Sequence, residues 1–123
     1  MGKILVIDDD ADIRDFLVLV LEGADHRVVA AADGEAGLAL AATESPDLIL
    51  MDLSMPRMTG FEAVRRLRAG PKTRAIPVIA LSAHDSAGDY EEAHDAGCEG
   101  FLAKPVEAGL LVQRVAEVLA RRG

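Results

Sequence analysis

The chain has 123 residues and a formal net charge of −8, from 21 acidic and 13 basic residues, and half of it is apolar. That length holds one domain with a single core, and the apolar half excludes a disordered chain. The acidic balance argues against a nucleic-acid surface, which needs a basic patch. The lone Cys98 has no partner for an intrachain disulfide, which fits a reducing compartment. No secretory signal opens the chain. The longest apolar run beyond the N-terminal strand, residues 16–21, is far short of a membrane span. A small cytoplasmic domain with no membrane partner and no direct nucleic-acid partner is expected.

In chain order, apolar runs of strand length fall at residues 4–7, 28–31, 48–51, 78–81 and 101–103. Helical spacing fills the gaps. The first helix starts with Asp10 or Asp12 as a cap and ends near Gly23. Its run from Phe16 to Leu21 would pass for a strand on propensity. The shared face of Ile13, Leu17, Val20 and Leu21 favours a helix, and it turns Val18 and Leu19 outward. The second helix, 35–43, is alanine-rich with Leu38 and Ala42 inward. The third starts at Thr59 or Gly60, buries Phe61, Val64 and Leu67, turns Arg65, Arg66 and Arg68 out, and stops at Gly70-Pro71. The fourth, 86–96, has only Tyr90, Ala93 and Ala96 as an apolar stripe, and Gly97 ends it. The fifth, 106–121, carries Leu111, Val115, Val118 and Leu119.

Five alternations of strand and helix predict an α/β fold with a parallel sheet covered on both faces. The strands read as continuous apolar runs, as doubly covered strands should. The doubly wound, flavodoxin-like (βα)5 order 2-1-3-4-5 follows, with its ligand site at the carboxyl edge between the first and third strands.

Chemistry gathers at that edge. The first strand ends in Asp8-Asp9-Asp10, the third in Asp52, the fourth in Ser82 and the fifth in Lys104-Pro105. Singly, each has a plainer role: a cap, a loop hydroxyl, a solvated charge. Together they make a set. Carboxylates this close need a neutralising partner. A hard divalent cation such as Mg²⁺ suits one or two carboxylates plus a phosphate, and a lysine suits a phosphate oxygen. A carboxylate nucleophile, a cation site, a hydroxyl and an ammonium are what phosphoryl transfer to an aspartate requires.

The segments Ile4-Leu5-Val6-Ile7-Asp8-Asp9, Leu50-Met51-Asp52-Leu53-Ser54-Met55-Pro56, Thr59-Gly60, Ala80-Leu81-Ser82-Ala83, Ala96-Gly97 and Gly100-Phe101-Leu102-Ala103-Lys104-Pro105 carry a resemblance. The chain resembles the receiver domains of bacterial two-component response regulators, the CheY-like family, over residues 3–121. The resemblance implies that Asp52 is the phosphoacceptor for a histidine kinase or histidine phosphotransfer protein. It implies that Asp8, Asp9, Asp52 and the Ser54 backbone carbonyl hold Mg²⁺, with Asp8 acting through water. Ser82 and Lys104 match the residues that bind phosphoryl oxygens, and Lys104-Pro105 matches a peptide bond that is cis in the family. Ser82 and Phe101 match the switch pair, with Phe where a Tyr often stands. Ser54 and His84 occupy the positions that tune water access to the acyl phosphate. In the family the first helix, beside the Lys104 loop, docks the kinase, so Arg14, Val18 and Leu19 become the expected partner contacts. Asp10 reads as a helix cap.

The resemblance further implies a signalling domain that acts only on its own phosphorylation and dephosphorylation, spanning residues 1–123 as a single receiver with no output domain. It signals through an unidentified downstream protein, and a homodimer formed on phosphorylation stays open. A different reading is a haloacid-dehalogenase-like phosphatase with Asp8 as nucleophile, suggested by Asp8-Asp9-Asp10-Ala11 after a strand; it would leave Asp52 unused. A flavodoxin-like electron carrier would need a Ser/Thr-rich phosphate loop and flavin-stacking aromatics, and the chain has no Trp. His94 and Cys98 have metal-ligand spacing but no second pair for zinc.

Overall fold

The structure, a computed structural model, describes residues 2–83 and 87–122. Strands β1 (Lys3–Ile7), β2 (Arg27–Ala31), β3 (Leu48–Asp52), β4 (Val78–Ser82) and β5 (Gly100–Ala103) alternate with helices α1 (Ala11–Gly23), α2 (Gly34–Glu44), α3 (Gly60–Ala69), α4 (Ala87–Ala96) and α5 (Ala108–Arg122). The strands pair in parallel in the order 2-1-3-4-5, as the alternation predicted.

Side chains alternate across the sheet, so each central strand feeds two cores. Leu5, Ile7, Ile49, Met51, Val78 and Ala80 face α2, α3 and α4, where Ala41, Ala63, Val64, Leu67, Ala93 and Ala96 meet them. Ile4, Val6, Leu48, Leu50, Ile79 and Leu81 face α1 and α5, against Leu17, Leu21, Leu111, Val115 and Val118. Burial on both faces explains why β3 and β4 are buried throughout. No helix among the described residues is long and apolar enough to cross a membrane.

Caps set the helix starts. Asp10 accepts from the Asp12 and Ile13 N–H groups, and Thr59 from Glu62 N–H. Asp33, which carried no signal in the sequence, caps α2 through Ala36 N–H at 2.8 Å. The fifth helix begins at Ala108 rather than near residue 106. Glu107 acts as its cap, accepting from Gly109 N–H at 2.9 Å and Leu110 N–H at 2.8 Å.

Several inward and outward assignments change. Ala41, not Ala42, is buried on α2, because Gly37 on the same side lets the helix approach Ile7. Val18 is half-buried; Leu19 is 72% exposed, and Phe16, which the sequence assigned to neither face, is 41% exposed. Arg68 does not face solvent. Its guanidinium donates to the Gly97 carbonyl at 2.7 Å and 3.2 Å, to Ile76 O at 2.6 Å and to Arg74 O at 3.1 Å, and it pairs with Glu99 at 3.1 Å. It ties the end of α3 to the turn between α4 and β5.

Candidate functional site

Strand register assembles the site. Ile7 pairs with Met51, so Asp8 and Asp52 emerge side by side from β1 and β3. Asp52 pairs with Leu81 and Ser82 with Ala103, which brings Ser82 and Lys104 to the same edge. The Lys104 N–H also donates to the Ser82 carbonyl at 2.8 Å. The Lys104–Pro105 peptide bond is cis, as the resemblance implied. At the start of α3, Gly60 lies against the backbone of Asp52 and Leu53: a Cβ there would run into the Asp52 carbonyl and come within 2.7 Å of Leu53 Cα. Only glycine lets the helix start this close to the residue it positions.

Lys104 Nζ bridges the two buried carboxylates, at 2.9 Å from Asp8 Oδ2 and 3.3 Å from Asp52 Oδ1. Asp8 Oδ1 accepts the Asp10 N–H at 2.9 Å, and Asp52 Oδ1 accepts the Ser54 N–H at 3.1 Å. Asp9 is exposed, and its carboxylate stands close enough that one oxygen each of Asp8, Asp9 and Asp52 lies within 4.8 Å of the others. Three carboxylates therefore converge, and one ammonium bridges two of them. Such an all-oxygen set, carrying more negative charge than Lys104 cancels, fits a hard divalent cation.

Burial pushes the Asp52 carboxyl up to about 6. The Ser54 N–H opposes that rise, Asp8 adds to it, Lys104 opposes it and Asp9 adds to it. On Lys104, burial works against the charge, but the hydrogen bond to Asp8 and the charges of Asp52 and Asp8 outweigh it and raise the pKa. Lys104 is thus a fixed cation held by the site's own acids.

Ser82 is buried at the edge, and its Oγ donates to Asp89 Oδ2 at 3.3 Å. Phe101 is half-buried on β5, with the Tyr90 ring edge-on at a centroid distance of 5.7 Å. His84 lies outside the described residues. Arg14 is half-buried and donates to the Asp8 carbonyl at 2.8 Å, so it supports the acidic loop, and Val18 is half-buried. Leu19 stays exposed, and Phe16 joins it on the open flank. Sequence reasoning also missed Asp89, because its bond to Ser82 depends on where α4 lies over the sheet edge.

Comparison with known proteins agrees with this geometry. The family model described as "Response regulator receiver domain" matches residues 4–116. The chain is 38% identical to protein PilH of Pseudomonas aeruginosa, over 98% of this chain and 99% of that one. It is 40% identical to the DNA-binding dual master transcriptional regulator RpaA of Synechocystis, over 98% of this chain but only 50% of that protein. The chain therefore spans about half of RpaA and nearly all of PilH. Among solved structures, it matches the receiver domain of the sensor histidine kinase PA1611 of P. aeruginosa with a TM-score of 0.90 and 31% identity, covering 97% of this chain and 98% of that one. That structure is described as having a magnesium ion coordinated in its active site cleft.

The chain belongs to the response regulator receiver family, the CheY-like phosphoacceptor modules of two-component signalling. It is a signalling domain, and domains of this family interact with histidine kinases and downstream effectors. Nothing in these comparisons supports the haloacid-dehalogenase-like phosphatase.

Proposed function

We propose that Asp52 accepts a phosphoryl group from the phosphohistidine of a sensor histidine kinase or histidine phosphotransfer protein. An Asp52 carboxylate oxygen attacks phosphorus, the P–N bond breaks, and the imidazole nitrogen keeps the electron pair. Lys104 and the Ser82 hydroxyl meet the phosphoryl oxygens and spread the charge. The observation that carries this reading is the bridge from Lys104 Nζ to both Asp8 and Asp52, 2.9 Å and 3.3 Å away, at the edge where three carboxylates converge.

The residues fit Mg²⁺, which Asp8, Asp9, Asp52 and the Ser54 backbone carbonyl would hold. When bound, the ion neutralises the acids and screens the incoming phosphoryl charge. The chain's chemistry is confined to its own phosphorylation and dephosphorylation. The short Ser54 side chain, together with His84, sets how readily water reaches the acyl phosphate.

The added charge withdraws Ser82 toward the phosphoryl oxygens, and Phe101 turns inward behind it, changing the α4–β5–α5 surface that a downstream protein or a second copy reads. The kinase side is the flank of α1 bearing the exposed Phe16 and Leu19, with the half-buried Arg14 and Val18 of the same helix as further contacts. We place the protein in the cytoplasm, where kinase and donor are available.

The test is incubation with acetyl phosphate and Mg²⁺. Wild type should gain one phosphoryl group, lost on adding a chelator and in Asp52→Asn. Equal labelling of Asp52→Asn would remove Asp52 from the reaction.

A further inference from the structure

Two consecutive residues of α4 touch both members of the switch pair. Ser82 Oγ donates to Asp89 Oδ2 at 3.3 Å. The next residue, Tyr90, is 57% exposed yet lays its ring edge-on against Phe101, with centroids 5.7 Å apart and planes at 62°. A small surface pocket of about 30 Å³ opens between Tyr90, His94, Glu99 and Phe101, over the buried Ala93 and Cys98.

A serine hydroxyl carries one proton to donate. Donated to Asp89, that proton is withheld from a phosphoryl oxygen on Asp52. The two acceptors are also both anionic, so they repel one another when drawn to the same donor. We propose that Asp89 is a positioning residue that holds Ser82 in its unphosphorylated arrangement. The phosphoryl group takes the Ser82 proton from Asp89. Tyr90, one residue on, is released from Phe101 in the same movement. Asp89 and Tyr90 thus couple the chemistry at β4 to the position of α4. This rests on the phosphoacceptor reading above, and the experiment separates the two.

The experiment measures the rate of Asp52 phosphorylation by acetyl phosphate with Mg²⁺ in the full chain. Asp89→Ala removes this acceptor and should raise the rate roughly three- to tenfold, the range expected for losing one competing hydrogen bond. Asp89→Asn removes the charge but keeps an acceptor oxygen, so its rate should lie much nearer wild type. In a Ser82→Ala background Asp89→Ala should change nothing further. Amide exchange in the first turn of α4 gives a second readout. It should speed up when wild type is phosphorylated, and should already be fast in unphosphorylated Asp89→Ala.

Equal acceleration by Asn and Ala would mean that charge alone acts and would overturn the proposal. So would an undiminished Asp89→Ala effect without the Ser82 hydroxyl, or an Asp89→Ala rate equal to wild type. If wild type takes no label on Asp52, the phosphoacceptor reading itself fails, and the role of Asp89 fails with it.

Discussion

Asp52 holds a reactive carboxylate in a place that disfavours its charge. Burial lifts its pKa to about 6 from the ordinary 3.8, so in the metal-free protein ionising it opposes folding. Because the folded-state value is the higher one, its contribution to stability is fully present below about pH 4. It is lost as pH rises through about 6, and flat above that. Asp52→Asn should therefore be more stable than wild type at pH 8 in the presence of chelator, by on the order of 2 kcal/mol, and the advantage should shrink toward pH 4. Urea unfolding of both proteins across that range checks it. A constant difference at all pH values would contradict the assignment. Asp52, Asp8 and Lys104 were legible in the sequence because each ends a strand, and strand ends in this topology share one edge. Asp89 was not, because it sits on the helix with the faintest apolar pattern, and only the placement of α4 over that edge reveals its bond to Ser82.

At the scale of elements, the site depends on how helices are fastened to the sheet. Arg68 fastens α3 to the α4–β5 turn through the Gly97 carbonyl, and to the loop before β4 through the Ile76 and Arg74 carbonyls. A lysine keeps the charge but cannot present a planar fork to several carbonyls at once. Arg68→Lys should cost about 2–3 kcal/mol in urea unfolding with an unchanged m-value; a loss within experimental error would show that the clamp does not hold the turn. The spacing of three arginines on one helix read as a solvated face, since nothing local marks one of them for a turn 29 residues further along. The same limit applies to α1. Six apolar residues in a row, 16–21, carry no period, so the sequence could show that a helix has an apolar flank but not which residues form it. Phe16 was assigned to neither face and lies at the open edge. The caps at Asp10 and Thr59 were readable because they act within three residues of themselves.

Over the whole molecule, two tasks occupy different regions. Chemistry sits at the carboxyl edge of the sheet, while Phe16 and Leu19 lie on α1, outside the carboxylate cluster. Docking and reactivity should therefore separate. Phe16→Glu should slow phosphotransfer from the cognate kinase by about tenfold or more while leaving labelling by acetyl phosphate within about twofold of wild type. Equal losses with both donors would mean that the substitution damages the site and not a docking surface. The topology that joins these regions was the most legible property of the sequence. Five apolar runs without alternation specify strands covered on both faces, and that leaves little choice of sheet.

The central claim is that the carboxylate ending β3 receives the phosphoryl group. Borohydride reduces an aspartyl phosphate to homoserine, so the reacting residue can be located by mass mapping after labelling with acetyl phosphate and Mg²⁺. The account predicts homoserine at position 52 and at no other acid of the site. Homoserine at position 8 would contradict it and return the chain to the phosphatase chemistry that Asp8-Asp9-Asp10 first suggested.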